Sequence, residues 1–181
     1  AGATEMPASG RTFTNPSTGA WLTWLPRGDD GVIERVIKPH TGKADAHVHL
    51  DYVESFEVLD GTATVEVDRQ RRTLSAGETL ELQPGTGHRN PYNETDSDLR
   101  LRHTASPGGD FVASFVSSLG HHMEHDTVNK QGEFPQLQLF VVLHATRARS
   151  FLAGPPVALQ KPVVALGALI GRLRGYKPRY D

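Results

Sequence analysis

Between Arg11 and about Thr104 the chain is written in short apolar or alternating runs separated by turn residues. Alternation is clearest where Ala63, Val65 and Val67 fall on one side and Thr62, Thr64, Glu66 and Asp68 on the other. A period of two is that of a strand with one buried face. The same reading predicts strands at Thr12-Phe13-Thr14, Ala20 to Leu25, Val32 to Ile37, Ala46 to Leu50, Ser55 to Leu59, Thr79 to Leu82, His88 to Tyr92 and Leu99 to Thr104. Asn15-Pro16-Ser17-Thr18-Gly19 and Arg27-Gly28-Asp29-Asp30-Gly31 supply turns, and Asp68 to Arg72 reads as a polar hairpin turn. So many short strands at this spacing argue for a sandwich or closed barrel over a βαβ fold.

The pattern changes after Pro107-Gly108-Gly109. Asp110 is expected to cap a helix over Phe111 to Leu119 that Gly120 ends. Pro135 to Thr146 carries Leu137, Phe140, Val141 and His144 near one helical face. A last helix starts at Pro155-Pro156 and ends at Gly175, with Lys161-Pro162 as a break or kink. Its uninterrupted apolar stretch, Pro162 to Ile170, is far shorter than the ~20 residues that span a bilayer. That helix is therefore expected to pack on the barrel or on a partner subunit, with membrane-surface association as the alternative. The organisation predicted is a flexible N-terminus over 1–10, a β-barrel over 11–106 and a helical extension over 107–181.

Composition narrows the chemistry. With 19 basic and 21 acidic side chains and a formal charge of −2, the chain has no basic stripe for nucleic acid. Arg172, Arg174, Lys177 and Arg179 read as a solvated end. The absence of cysteine excludes disulfides, thiolate metal sites and cysteine nucleophiles. Nine histidines are then the first place to look for metal ligands. Ala1 to Gly10 has neither the basic flank nor the apolar core of a secretory signal, so a cytoplasmic location is expected, although a processed form remains open because the chain does not begin with Met.

His47 and His49 stand two apart on a strand, so both rings project from one face as a bidentate claw for a divalent ion. Glu54 has the wrong parity for that face; a turn around Asp51 and Tyr52 resets the register and lets it point back from the next strand with Phe56 and Val58. Further on, Pro84-Gly85-Thr86-Gly87 reverses the chain so that His88 opens a strand able to lie beside the claw. Three imidazoles and a carboxylate make an N₃O set that leaves positions for water, dioxygen or substrate. Such a set suits Fe, Mn, Ni, Co, Zn or Cu without choosing among them. Glu54 can be a ligand, a general base, or both. His103 shares parity with Leu99 and Leu101 and is placed either in the pocket or as a hydrogen-bonded core histidine; Phe56 and Tyr92 are candidates for core or pocket wall. His121, His122 and His125 read as surface histidines, with a second metal site as the alternative.

These two segments resemble the motifs of the cupin superfamily. The first motif runs Gly, five residues, His-x-His, three or four residues, Glu, six residues, Gly, and this chain matches it from His47 through His49 and Glu54 to Gly61, with Gly42 one residue too close. In the second motif Gly77, Gly85 and His88 fall in place, whereas Gln83 stands at the usual proline, Pro84 follows it, and Asn93 is one residue late. The resemblance covers about residues 30 to 108. It implies a jelly-roll barrel with a metal inside, held by His47, His49, Glu54 and His88, and a homodimer acting on a small-molecule substrate. The donor set and the passage from Ser106 to Phe111 are similar to those of flavonol-type cupin dioxygenases, which implies dioxygenation of a small phenolic or enolic compound. Isomerase, lyase or cyclase chemistry, or a non-catalytic binding or sensing role, are the alternatives, because one fold hosts many functions.

Overall fold

Strand alternation decides which side chains meet at the centre of the molecule. The computed structural model describes residues 9–180; most of the expected flexible N-terminus, residues 1–8, lies outside the described residues. The strands are β1 (Thr12–Thr14), β2 (Trp21–Trp24), β3 (Gly31–Ile37), β4 (His47–His49), β5 (Val53–Asp60), β6 (Thr62–Val67), β7 (Gln70–Ser75), β8 (Thr79–Leu82), β9 (His88–Tyr92), β10 (Leu99–Ser106) and β11 (Ser150–Leu152). The helices are α1 (Gly109–Glu124), α2 (Gln136–Thr146) and α3 (Val157–Leu173). All pairing is antiparallel. One sheet has six strands in the order β1-β2-β3-β10-β5-β8, the other five in the order β11-β4-β9-β6-β7. The architecture is the mainly-β jelly roll with C-terminal helices that the sequence predicts.

In the six-stranded sheet, Ile33 and Ile37 of β3, Phe56 and Val58 of β5, and Leu99 and Leu101 of β10 turn inward and are buried. Glu34, Glu57, Arg100 and Arg102, at the alternate positions, turn outward. Arg102 lies opposite both Glu34 and Glu57 and reaches each of them, at 2.7 and 2.6 Å. Against the inner face stand Ala63, Val65, Val67 and Leu74 of the second sheet, completing one core cluster. Each large side chain fully buried there contributes roughly 1.5–3 kcal/mol. A second cluster joins Phe13, Leu22, Trp24 and Ile33 to Val112, Ala113, Val116 and Leu119 of α1. Helix α1 thus closes one side of the barrel.

Several expectations are corrected. The segment read as a turn at Asp68 to Arg72 holds the start of β7, whose burial pattern shows one buried residue, Leu74, among exposed ones. The turn itself is narrower: Asp68 and Arg69 take positive φ, 49° and 67°. Asp110 does not cap α1; the cap position is Gly108, and Asp110 sits in the first turn. Gly120 does not end α1 either. A Cβ there would lie 2.3 Å from Cδ1 of Phe13, so glycine serves the close approach of a ring to the helix and not a stop. Pro162 lies inside α3 without breaking it. The basic C-terminal end is docked: Arg179 Nε donates to Ser114 Oγ (2.8 Å) and the Tyr180 hydroxyl to Gln138 Oε1 (2.8 Å).

Helix α3 packs on α2 through small residues. A Cβ at Gly167 would meet Phe140 at 2.1 Å, and one at Gly171 would meet Val141 at 2.7 Å. Leu159, Val163, Leu166, Ile170 and Leu173 point away from that contact and are exposed. Among the described residues no helix is long and apolar enough to cross a membrane.

Candidate metal centre

The two histidine segments come together on adjacent strands. His47 of β4 and His88 of β9 are direct cross-strand partners. The turn of the second segment is fastened to the first, because the amide of Gly85 donates to the carbonyl of His49 at 2.7 Å. Gly85 adopts φ +89°, a conformation open to glycine at little cost. Asn93 pins the far end: its side chain donates to the carbonyls of Ile37 (3.0 Å) and Ser97 (2.7 Å), and its amide to that of Thr41 (3.0 Å). Its one-residue displacement does not prevent it from fixing the loop.

Glu54 arrives from the facing sheet. The chain leaves β4, turns through Asp51 and Tyr52, and enters β5 in the six-stranded sheet, where Glu54 and Phe56 share the inner face. One ligand atom from each of His47, His49, Glu54 and His88 lies within 4.8 Å of all the others. His49 Nε2 and His88 Nε2 approach the same oxygen, Glu54 Oε2, at 3.6 and 2.8 Å. Atoms about 2.0–2.2 Å from one ion lie roughly 3–4.4 Å apart, so side-chain adjustments of a few tenths of an ångström would close the set on a cation.

Outer partners hold each ring in place. His47 Nδ1 donates to the carbonyl of Asp45 (2.8 Å) and His88 Nδ1 to that of Thr86 (3.0 Å). Because a carbonyl only accepts, these bonds put the proton on Nδ1 and leave Nε2 with a free lone pair in the neutral ring. His49 Nδ1 shares a hydrogen bond with the Tyr52 hydroxyl (2.7 Å), and the two rings stack at 4.4 Å. Three imidazoles anchored through Nδ1 leave three Nε2 atoms for an ion, the arrangement expected of metal-ligating histidines. Tyr52 was not singled out as a site residue; its position three after a ligand, in the turn before Glu54, was the available signal.

The electrostatics agree with this geometry. Burial holds His49 down to about 3 and lowers His47 as well, so both stay neutral. Burial alone would raise the Glu54 carboxyl, but the charge and close approach of His103, with further contact and charge from His88 and His49, hold it well below the usual range. Burial would likewise lower His88, and is outweighed by its close approach and attraction to Glu54, so His88 is raised. Glu54 Oε2 and His88 Nε2 are buried and 2.8 Å apart, yet neither has a well-formed hydrogen bond. Two polar atoms held in this way fit a shared cation better than they fit each other. A His/Glu cluster able to bind a metal ion is present.

The other expected site residues divide. His103 is brought in: its Nε2 lies 2.6 Å from Glu54 Oε1 and its ring stacks on Phe56 at 4.6 Å. Phe56 lies 6.5 Å from the His88 ring. Tyr92 is buried, as the core alternative expects. The ladder between β6 and β9 shifts register between Thr64 and Glu66, next to Pro91, which cannot donate to it. The Tyr92 hydroxyl then donates to Glu66 Oε1 (3.0 Å), and Lys43 lies over its ring. Of the three histidines read as surface groups, His122 is buried and bonded to Thr127 (2.6 Å), and His121 stacks on Tyr180 at 3.8 Å. β11, which the sequence reading missed, pairs with the ligand strand, Leu152 opposite His47 and Ser150 opposite His49. A cavity of about 440 Å³ opens against His88, walled by Ala46, Glu66, Asp68, Arg69 and Gly87.

The family model described as "Cupin domain" matches residues 34–104. These residues form a cupin domain. The match takes in all four cluster residues, from β3 through β10, and leaves β1, β2, β11 and the helices of the chain outside it. No curated protein matches the sequence. Among solved structures, the chain is similar to a sugar phosphate isomerase from a cupin superfamily of Silicibacter pomeroyi, at 19% identity over 48% of this chain and 59% of that one, with a TM-score of 0.43. It thus spans less than two thirds of that relative. It is also similar to a conserved protein with a double-stranded β-helix domain from Klebsiella pneumoniae (22% identity, 54% and 85% covered, TM-score 0.45). A cupin-2 domain containing protein from Shewanella frigidimarina is a further relative (24% identity, 44% and 72% covered, TM-score 0.38).

Proposed function

We propose that this cupin is a metal-dependent enzyme whose centre is His47, His49, Glu54 and His88, and that it dioxygenates a small phenolic or enolic compound. The observation that carries the metal reading is the convergence of four mostly buried ligand atoms within 4.8 Å, with the imidazoles anchored from behind through Nδ1. A divalent ion bound there supplies a Lewis acid that polarises a substrate oxygen.

The chain's own residues then bind, orient and move a proton. Glu54, ionised and touching His103 at 2.6 Å, can take a proton from a phenol or enol and share it with His103. Phe56, stacked on His103, fixes the ring that receives it. Phe111 lies 6.2 Å from His49 and 6.3 Å from Tyr52 and makes that side of the centre apolar, which strengthens electrostatic interactions inside it. Dioxygen uptake by protein loaded in turn with Fe, Mn, Co, Ni, Cu and Zn, over catechols, flavonols and enolic acids, tests the reading. Substrate-dependent uptake with at least one metal supports it, and none with any metal removes it.

The Glu54–His103 contact also favours a second reading. A carboxylate and an imidazole sharing a proton beside a polarised oxygen suit isomerisation, which needs proton transfer and no oxidant. Solvent deuterium entering a recovered, isomerised compound without oxygen consumption would support that reading instead.

A further inference from the structure

The buried side-chain atoms that lack a hydrogen bond are not scattered. Glu54 Oε2, His88 Nε2, His103 Nε2, Asn90 Oδ1 and Arg35 Nε are five of the six among the described residues. The first three belong to the centre already described. Asn90 adjoins the His88 ring, whose protonated form its side chain favours. Arg35 is the odd member.

It sits on β3 between Ile33 and Ile37, opposite Leu22 of β2 and Leu101 of β10. These neighbours are buried apolar residues, whereas the outward residue Glu34 takes the arginines Arg100 and Arg102. Among the described residues Arg35 makes no hydrogen bond and no ion pair. Burial pushes its guanidinium down to about 10, against the opposing pull of Glu54, so the group stays charged at neutral pH. Yet Arg35 is half-buried where Ile33 and Ile37 are closed off. It borders a cavity of about 120 Å³ with Leu22, Ile37, Leu119 and Met123. An enclosed guanidinium nitrogen without a hydrogen bond, here Nε, is costly for folding; a ligand anion would supply the missing partner.

We propose that Arg35 binds the carboxylate of a small acid in the cavity it borders. A guanidinium holds a carboxylate by donating two parallel hydrogen bonds. The ligand class is thereby small phenolic, enolic or hydroxy acids, and the contact stands independently of the function proposed above.

The test compares binding of salicylate with salicylamide, and of lactate with lactamide, by calorimetry on metal-free and metal-loaded wild type, Arg35→Met and Arg35→Lys. Wild type should bind at least one of the acids about tenfold or more tightly than its amide, Arg35→Met should lose that preference, and Arg35→Lys should keep part of it. Metal content should be equal in all three. Removing an unpaired buried charge should leave the Tm of Arg35→Met unchanged or raised. Equal binding of acid and amide by wild type, no binding of either acid, or a preference that survives in Arg35→Met overturns the proposal. So does a Tm loss in Arg35→Met above about 5 °C, which would mark Arg35 as structural. An acid preference in protein that takes up no metal upholds Arg35 and removes the metal reading. Metal bound without an acid preference does the reverse.

Discussion

Replacing Tyr52 with Phe removes one hydroxyl and little else. The ring is buried and stacks on His49 at 4.4 Å, and phenylalanine keeps that packing. What goes is the 2.7 Å hydrogen bond to His49 Nδ1, which fixes the rotation of the imidazole and so the aim of Nε2. Losing an outer partner of this kind typically weakens metal binding by about 10- to 100-fold, or roughly 1.4–2.7 kcal/mol. Because burial already keeps His49 neutral, with its protonation pushed down to about 3, the loss should come from orientation and not from competition with protons. It should therefore be nearly constant between about pH 6 and 8, well above the depressed value of His49. Competition titration against a chromophoric chelator measures the affinity at each pH. An affinity within about twofold of wild type, roughly 0.4 kcal/mol and less than a third of the ~1.4 kcal/mol expected at minimum, would refute the reasoning. A loss that disappears as the pH is raised would refute it too.

Three further outcomes follow from contacts described above. Gly120→Ala gains helix propensity, worth about 1 kcal/mol, but its Cβ would lie 2.3–2.5 Å from three atoms of the buried Phe13 ring; overpacking costs about 1–3 kcal/mol, so the urea midpoint should fall. Metal-free protein should lose stability as pH drops from about 6.5. His47 and His49 have folded values below their unfolded ones, so between those values the unfolded chain binds the extra protons, and Glu54 adds the same sign at lower pH. His88 is raised and opposes them, its contribution being complete below its unfolded value and lost as pH rises through the folded one. A urea midpoint in chelator that stays flat or climbs from pH 6.5 to 4 would contradict this balance. His103→Gln should leave the metal bound while shifting the acid limb of any pH–rate profile, because it removes a titratable imidazole 2.6 Å from Glu54 Oε1; loss of the metal would instead make His103 part of the metal-holding set.

The centre was more legible than the architecture around it. His47, His49, Glu54 and His88 stand at spacings that only need two strands to meet, and the inward parity of Phe56 and Val58 fixed the side on which Glu54 arrives. β7 was hidden because its outward positions are glutamine, arginine and threonine and only Leu74 is buried; an edge strand of this kind has no apolar alternation to find. β11 has three residues and gains its place from pairing with β4, a contact without local signal. Gly120 carried the wrong message because a glycine beneath a packed ring and a glycine that stops a helix look alike in sequence. Tyr92 shares parity with His88, but the register shift beside Pro91 breaks that count. Arg35 alternates with isoleucines and stands out only when its lack of a partner is seen.

Metal content of tag-free, unheated protein tests the central claim most directly, measured by elemental analysis on wild type, His47→Ala and His88→Ala. The convergence of three anchored imidazoles and Glu54 predicts about one transition-metal ion per chain in wild type, in line with a single N₃O site, and its loss in both variants. Equal metal content in all three proteins would contradict the account.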